Sequence, residues 1–167
     1  MTWAPNATVA AVIYRPHPAG AAGHYLMVHE ETSDGMRYNQ PAGHLEQGES
    51  LEQAMLRETF EETGWRVRPS GLLNITLFTS PHNQVTYHRT TFLAEAIEAV
   101  PEAILDDGIH EAVWLTYEEI LARRDSLRSQ VVLEVIEDHR QGICYPLEMI
   151  RTRGGPSTGA DSLAQVE

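Results

Sequence analysis

Four glutamates, Glu52, Glu58, Glu61 and Glu62, fall in one short stretch of this 167-residue chain, and Arg57 is the one cation among them. The stretch reads as a helix over Leu51 to Thr63. Ser50 followed by Gln53 has the spacing of a capping box, and Gly64 stands where a helix-ending glycine belongs. At about 100° of rotation per residue, Glu58, Glu61 and Glu62 share an arc of roughly 100°. Leu56 and Phe60 fall on the opposite side, while Leu51, Ala54 and Met55 share the carboxylate side up to two turns earlier. The first half of the helix is therefore expected to pack, and the last turn to display three carboxylates. Like charges at this spacing repel, and anions near a helix C-terminus oppose its dipole. A hard divalent cation removes both penalties, and clustered carboxylate oxygens suit Mg²⁺ or Mn²⁺. The competing reading is an ordinary solvated acidic face.

The segment before the helix, NQPAGHLEQGES, carries Pro41, Gly43 and Gly48. Such a loop can turn back and set a backbone carbonyl beside the last helical turn. Glu49 precedes Arg57 by eight residues and can brace loop to helix; alternatively it is a first-turn anion that favours the dipole.

Around this centre, Thr8 to Tyr14 (TVAAVIY) and Tyr25 to Glu30 (YLMVHE) read as strands joined by a Pro/Gly/Ala loop, and ETSDGMR reads as a turn-rich loop. Leu72 to Ser80 and Val85 to Ile97 read as a hairpin-like pair joined through PHNQ, and Glu111 to Thr116 as a further strand. Thr116 to Glu119 has capping-box spacing, which predicts a helix through Leu121; a longer helix within RSQVVLEVIEDHRQG ends at Gly142. Strands and helices alternate irregularly, which gives an α+β or mixed α/β layer arrangement rather than repeated βαβ winding.

Length and composition (42% hydrophobic, 22% charged) fit one globular domain over 1–150, with a Gly/Ser/Thr-rich tail at 151–167 expected to lack stable structure. A net charge of -12 argues against a nucleic-acid polymer as partner, yet admits a small phosphorylated ligand if a metal supplies positive charge. Cys144 is alone, so it forms no internal disulfide. No apolar run approaches a membrane span and the N-terminus lacks a signal-peptide pattern, so the expected location is cytoplasmic.

The spacing Gly43, five residues, Glu49, seven residues, Arg57-Glu58, then Glu61-Glu62, Gly64 and Trp65 resembles the Nudix box. One position departs: Thr59 stands where that signature has an aliphatic residue. Beyond the box, NQPAGHLE, LTYEEIL, LRSQVVLEVIEDHRQG and YPLEMI resemble the NudJ phosphatase branch of the family. The resemblance implies an α/β/α sandwich with a mixed sheet and Mg²⁺-dependent hydrolysis of a phosphoanhydride. It implies Glu58, Glu61, Glu62 and the Gly43 carbonyl as metal ligands, Glu58 or Glu62 as the base acting on water, and Glu49–Arg57 as the brace. Its branch implies nucleoside tri- and diphosphates, thiamine pyrophosphate or its hydroxymethylpyrimidine pyrophosphate precursor as substrates. An ADP-sugar or dinucleotide pyrophosphatase, or a nucleotide sensor without turnover, stays open; the three intact carboxylates argue against the sensor.

Some Nudix enzymes add an acid from beyond the box. Glu111, in HEAVWL, is the candidate here against a solvated strand-end reading, whereas Asp106 and Asp107 read as loop acids. Arg37, Tyr38, His82, His88 and Arg89 are candidates for meeting phosphate or base. His82, His88 and His110 lack metal-ligand spacing. Trp3, Trp65 and Trp114 are candidates to stack a base, with core packing as the commoner fate of a tryptophan.

Overall fold

The computed structural model describes residues 2–153. Of the tail, 151–153 has no regular secondary structure and the remainder lies outside the described residues.

The architecture is organised by one strand, β1 (Asn6–Arg15). Val9 to Ile13 are buried without a break, as expected of a strand covered on both faces. Six more strands follow: β2 (His24–Thr32), β3 (Gly35–Asn39), β4 (Ala42–His44), β5 (Trp65–Thr79), β6 (Thr86–Ala99) and β7 (Ile109–Thr116). The sheet order is β3-β2-β1-β6-β5, with β4 also on β1 and β7 also on β2. β1 runs parallel to β6 from Asn6↔Tyr87 to Ile13↔Ala94, and the other pairings are antiparallel, so the sheet is mixed.

One side of β1 is shared by two partners. Its early part pairs β4 at Thr8↔His44 through Ala10↔Ala42, and its end pairs β2 only at Tyr14↔Tyr25 and Arg15↔His24. Between them the Ala11 N–H donates to the Pro41 carbonyl at 3.0 Å. Pro41 has no N–H to give a ladder, so a proline suits this divide. The sheet forks here, and a cleft opens between the branches.

Helices cover both faces. α1 (Leu51–Thr63) packs with Val9, Ala11, Ile13, Leu26, Val67, Leu72 and Phe92. α2 (Tyr117–Ala122) and α3 (Gln130–Arg140) form the other layer, where Ile120, Val131, Val132, Val135 and Ile136 meet Val12, Met27, Leu73 and Leu115. The result is the three-layer α/β/α arrangement expected from the sequence. Both expected capping boxes form: the Ser50 side chain accepts from the Gln53 N–H at 3.1 Å and the Thr116 side chain from the Glu119 N–H at 3.2 Å. No helix among the described residues is long and apolar enough to cross a membrane.

Three expectations need correction. ETSDGMR is not a loop throughout: β2 runs to Thr32, Thr32 Oγ1 caps a tight turn by accepting from the Asp34 N–H, and β3 begins at Gly35. Its residues GMRYN lie at a sheet edge and so carry no apolar alternation. β5 begins at Trp65 rather than Leu72, because its first half, broken in register at Pro69, lacks a strand-like pattern. In α1 the buried set is Ala54, Met55, Thr59, Glu62 and Thr63, while Leu56 is 37% exposed. The buried stripe therefore runs through the last turn, and Thr59 fills a core position, its hydroxyl donating toward Met55 Sδ at 3.7 Å.

Gly64 ends α1 in the left-handed conformation (φ 68°, ψ 13°), its N–H donating to the Phe60 carbonyl at 2.8 Å. A Cβ there would stand 3.2 Å from Ala103 Cβ and 3.3 Å from the Val100 carbonyl. Gly64→Ala is expected to lower stability by about 1–2 kcal/mol, the cost of a left-handed L-residue. Urea unfolding measures this, and an unchanged midpoint would contradict the helix terminus described.

Candidate functional site

The last two turns of α1 are tied to the preceding loop through Arg57. Its Nε donates to Glu49 Oε1 at 2.6 Å and its Nη2 to Glu49 Oε2 at 2.9 Å, a bidentate pair. Nη2 also reaches the His44 carbonyl at 3.0 Å, and Nη1 donates to Glu58 Oε1 at 2.8 Å and Glu61 Oε2 at 3.1 Å. One guanidinium thus joins the loop, β4 and the two outer carboxylates. The hydrogen bond from Arg57 is the main force holding the Glu49 carboxyl below the usual carboxylate range.

Glu58 and Glu61 are joined by an acid from a different part of the chain. One ligand oxygen from each of Glu58, Glu61 and Asp106 lies within 4.8 Å of the others. The Asp106 N–H donates to the Glu61 carbonyl at 2.9 Å, which docks its loop on the end of the helix. The acid that the fold brings to Glu58 and Glu61 is Asp106, read from sequence as a loop acid. Glu111 lies instead beside His29, 3.8 Å from His29 Nδ1. Loop residues offer no periodicity, so only the docking of the loop reveals this position of Asp106.

Glu62 does not face water as expected. It is 8% exposed, and its Oε2 accepts from the Ala42 N–H at 2.9 Å. Burial pushes its carboxyl up to about 8 against the pull of that N–H, and the charges of Glu30, Glu58 and Asp106 push the same way. Burial also raises Glu58, opposed mainly by Arg57. Gly43 explains the glycine of the loop. A Cβ on it would overlap the Glu58 carboxylate, so a side chain there would displace that group from its place beside β4.

Ala42 to His44 form one wall of the cleft at the fork, which has a volume of about 560 Å³. Arg37, Arg89 and His82 also line it. Arg37 donates to the Met36 carbonyl at 3.1 Å, and His82 Nδ1 stands 3.1 Å from Asp34 Oδ2. Arg89 Nη2 donates to Gln40 Oε1 at 2.9 Å, while its Nε is sealed from water without a partner. Burial lowers Arg89 to about 10, opposed by Glu30 and Glu62, so it stays a cation at neutral pH. Two candidates fall elsewhere. Tyr38 stacks on His29 (4.2 Å, 5°) and packs with the α2–α3 core, on the opposite face of β3 from Arg37. His88 is exposed on β6 and alternates away from Tyr87 and Arg89, which do line the cleft. Trp65 and Trp114 meet edge to face at 5.4 Å, with Arg15 over both rings, and Trp3 is 71% exposed. Sequence reasoning also missed Glu30, Gln40 and Tyr87; Gln40, buried with its Nε2 donating to the Val132 carbonyl at 2.7 Å, links the cleft to α3.

The hard oxygen donors of Glu58, Glu61 and Asp106 fit a divalent cation of the Mg²⁺ class. The NUDIX domain family matches residues 4–135. The chain is 36% identical over 154 residues to phosphatase NudJ of Escherichia coli (strain K12) and of Shigella boydii serotype 4, covering 92% of this chain and 95% of each relative. A NUDIX hydrolase from Nitrosomonas europaea superposes with a TM-score of 0.84 at 40% identity, covering 90% of this chain and 98% of that one.

The position of Glu62 has a pH consequence. A carboxyl raised from 4.5 to about 8 on folding contributes stability that is fully present below about 4.5 and is lost as pH rises through about 8. In chelator, Glu62→Gln is expected to flatten the fall in Tm over that window, and Mg²⁺ to offset the fall in the wild type. Parallel Tm–pH curves for wild type and variant would contradict the buried, proton-holding Glu62.

Proposed function

This chain belongs to the Nudix hydrolase family, acting on phosphoanhydrides, and we propose that it is a Mg²⁺-dependent, NudJ-like phosphatase. Its proposed substrates are nucleoside tri- and diphosphates and thiamine or hydroxymethylpyrimidine pyrophosphate. The observation that carries the reading is the meeting of Glu58, Glu61 and Asp106, with Glu62 buried alongside, directly behind Ala42 and Gly43, which line a cleft that also holds Arg37 and Arg89. A cleft of about 560 Å³ is in the range that takes a nucleotide-sized ligand.

Glu58, Glu61 and Asp106, with the Gly43 carbonyl from β4, would hold the cation. A bound Mg²⁺ neutralises phosphate oxygens and makes water more acidic; Mn²⁺ can substitute. The chain's own residues do the rest. Glu62 is the base we favour over Glu58: it is not engaged by Arg57, and the Ala42 N–H fixes one of its oxygens. Arg57 keeps Glu58 and Glu61 oriented rather than touching substrate, because its donors are already engaged by Glu49, His44, Glu58 and Glu61. Arg89, which lines the cleft, supplies a positive charge there for a phosphate.

A Mg²⁺-dependent product assay tests this. Orthophosphate is expected from nucleoside tri- and diphosphates and from the two pyrophosphates. Cleavage of ADP-ribose to AMP alone would keep the family and overturn the substrate class; silence across the panel would favour a sensor. Removing the acting base typically lowers kcat by about 10²–10⁴, so Glu62→Gln should fall in that range. Glu58→Gln and Asp106→Asn are expected to raise the Mg²⁺ requirement as well as lower turnover. Near-normal kcat and Mg²⁺ dependence in all three folded variants would sink the site assignment.

A further inference from the structure

A second group of metal-ligating side chains stands on the opposite face of β2. β2 pairs β7 with His29 opposite Glu111 and Glu30 opposite Ile109. His110 is thus the extra residue of a β-bulge. In a regular strand His110 and Glu111 would point to opposite faces; a bulge breaks that alternation and re-aims side chains. Here His110, Glu111 and His29 come together, with one ligand atom from each within 4.8 Å of the others. The rings of His29 and His110 meet edge to face at 5.7 Å.

His29 is the fixed member. Tyr38, its cross-strand partner, stacks flat on the ring at 4.2 Å. His29 Nδ1 is sealed from water and has no hydrogen-bond partner; its nearest anion, Glu111 Oε1, stands 3.8 Å away. A buried acceptor or donor left unmade is costly, and a third group drawn to the same point is not explained by a simple His29–Glu111 pair. His110 and Glu111 are exposed, so their side chains are free to turn inward. Tetrahedral coordination at Zn–N and Zn–O lengths of about 2.0–2.2 Å places ligand atoms roughly 3.3 Å apart. Small rotations of two exposed side chains reach that spacing without moving β2.

The geometry points to a transition-metal site formed by His29, His110 and Glu111, separate in its donors from the Glu58–Glu61–Asp106 group. Two imidazoles and one carboxylate select Zn²⁺ or a neighbouring ion such as Co²⁺, whereas the all-oxygen group suits Mg²⁺ or Mn²⁺. This inference does not depend on the proposed phosphatase reaction.

The test is equilibrium dialysis of the purified full chain against Zn²⁺ in excess Mg²⁺, with Co²⁺ visible absorption as a report of nitrogen ligation. One Zn²⁺ per chain is expected in the wild type and in Glu58→Gln. Loss of even an outer-shell partner costs roughly 10–100-fold in metal affinity, so His110→Ala and Glu111→Gln, each checked for unchanged Tm, should weaken binding by at least about tenfold. Zn²⁺ retained in both variants but lost in Glu58→Gln would overturn the proposal by placing the ion in the carboxylate group. A wild type that takes up no Zn²⁺ would overturn it too, leaving the cluster as an ion pair beside a surface histidine.

Discussion

The arrangement hangs on the guanidinium of Arg57. Without it, Glu49, Glu58 and Glu61 would be three carboxylates crowded at the end of a helix whose dipole disfavours them. With it, the loop before the helix, the short strand β4 and the last turns of α1 are connected through one planar group, five hydrogen bonds in all. Hydrogen bonds to charged partners contribute on the order of 1.5–3 kcal/mol each, less where solvent screens them. Their larger effect is geometric. A lysine would deliver one point charge and could not hold both Glu49 oxygens and the His44 carbonyl at once.

That connection matters because the Glu58 carboxylate of α1 lies against Gly43 of β4, in the space that a Cβ would take. The fork in the sheet sets the position of β4: only the first half of β1 is available to it, and Pro41 marks where its branch leaves that of β2. Glu62 is then trapped between helix and β4, held by the Ala42 N–H. The acidic group is thus graded in polarity. Glu61 is partly open to water, Glu58 is largely enclosed and Glu62 is buried, and this gradient, rather than residue type, separates the three otherwise identical side chains.

Much of this was legible in the sequence because it rests on local rules. The helix, its capping box, its terminal glycine and the Glu49–Arg57 spacing follow from turn chemistry and helical geometry, and the structure has all four. The resemblance to the Nudix box was carried by spacing over one continuous segment. What could not be read arises from contacts between distant segments. Asp106 reaches Glu61 only because its loop folds over the helix end, and Tyr38 leaves the cleft because strand register, invisible in a polar edge strand, turns it toward His29. His110 has no ligand spacing along the chain because His29, which it meets, lies on another strand. Burial of Glu62 was hidden because packing read from Ala54 and Met55 was expected to stop in the first half of the helix, whereas Thr59 and Glu62 carry it into the last turn.

The central strand also governs how the chain can assemble. β1 is made first in synthesis, yet its long parallel neighbour β6 lies about eighty positions later, from Asn6↔Tyr87 to Ile13↔Ala94. Its earlier partners, β2 and β4, together engage only five of its residues, by the pairs at Thr8 to Ala10 and at Tyr14 and Arg15. An apolar strand therefore waits, half paired, until the second half of the chain has left the ribosome, and chain closure over that distance slows the final pairing. Tolerance of this delay, and protection of TVAAVIY from neighbouring nascent chains, is a demand that the fold places on the cell before any substrate is met.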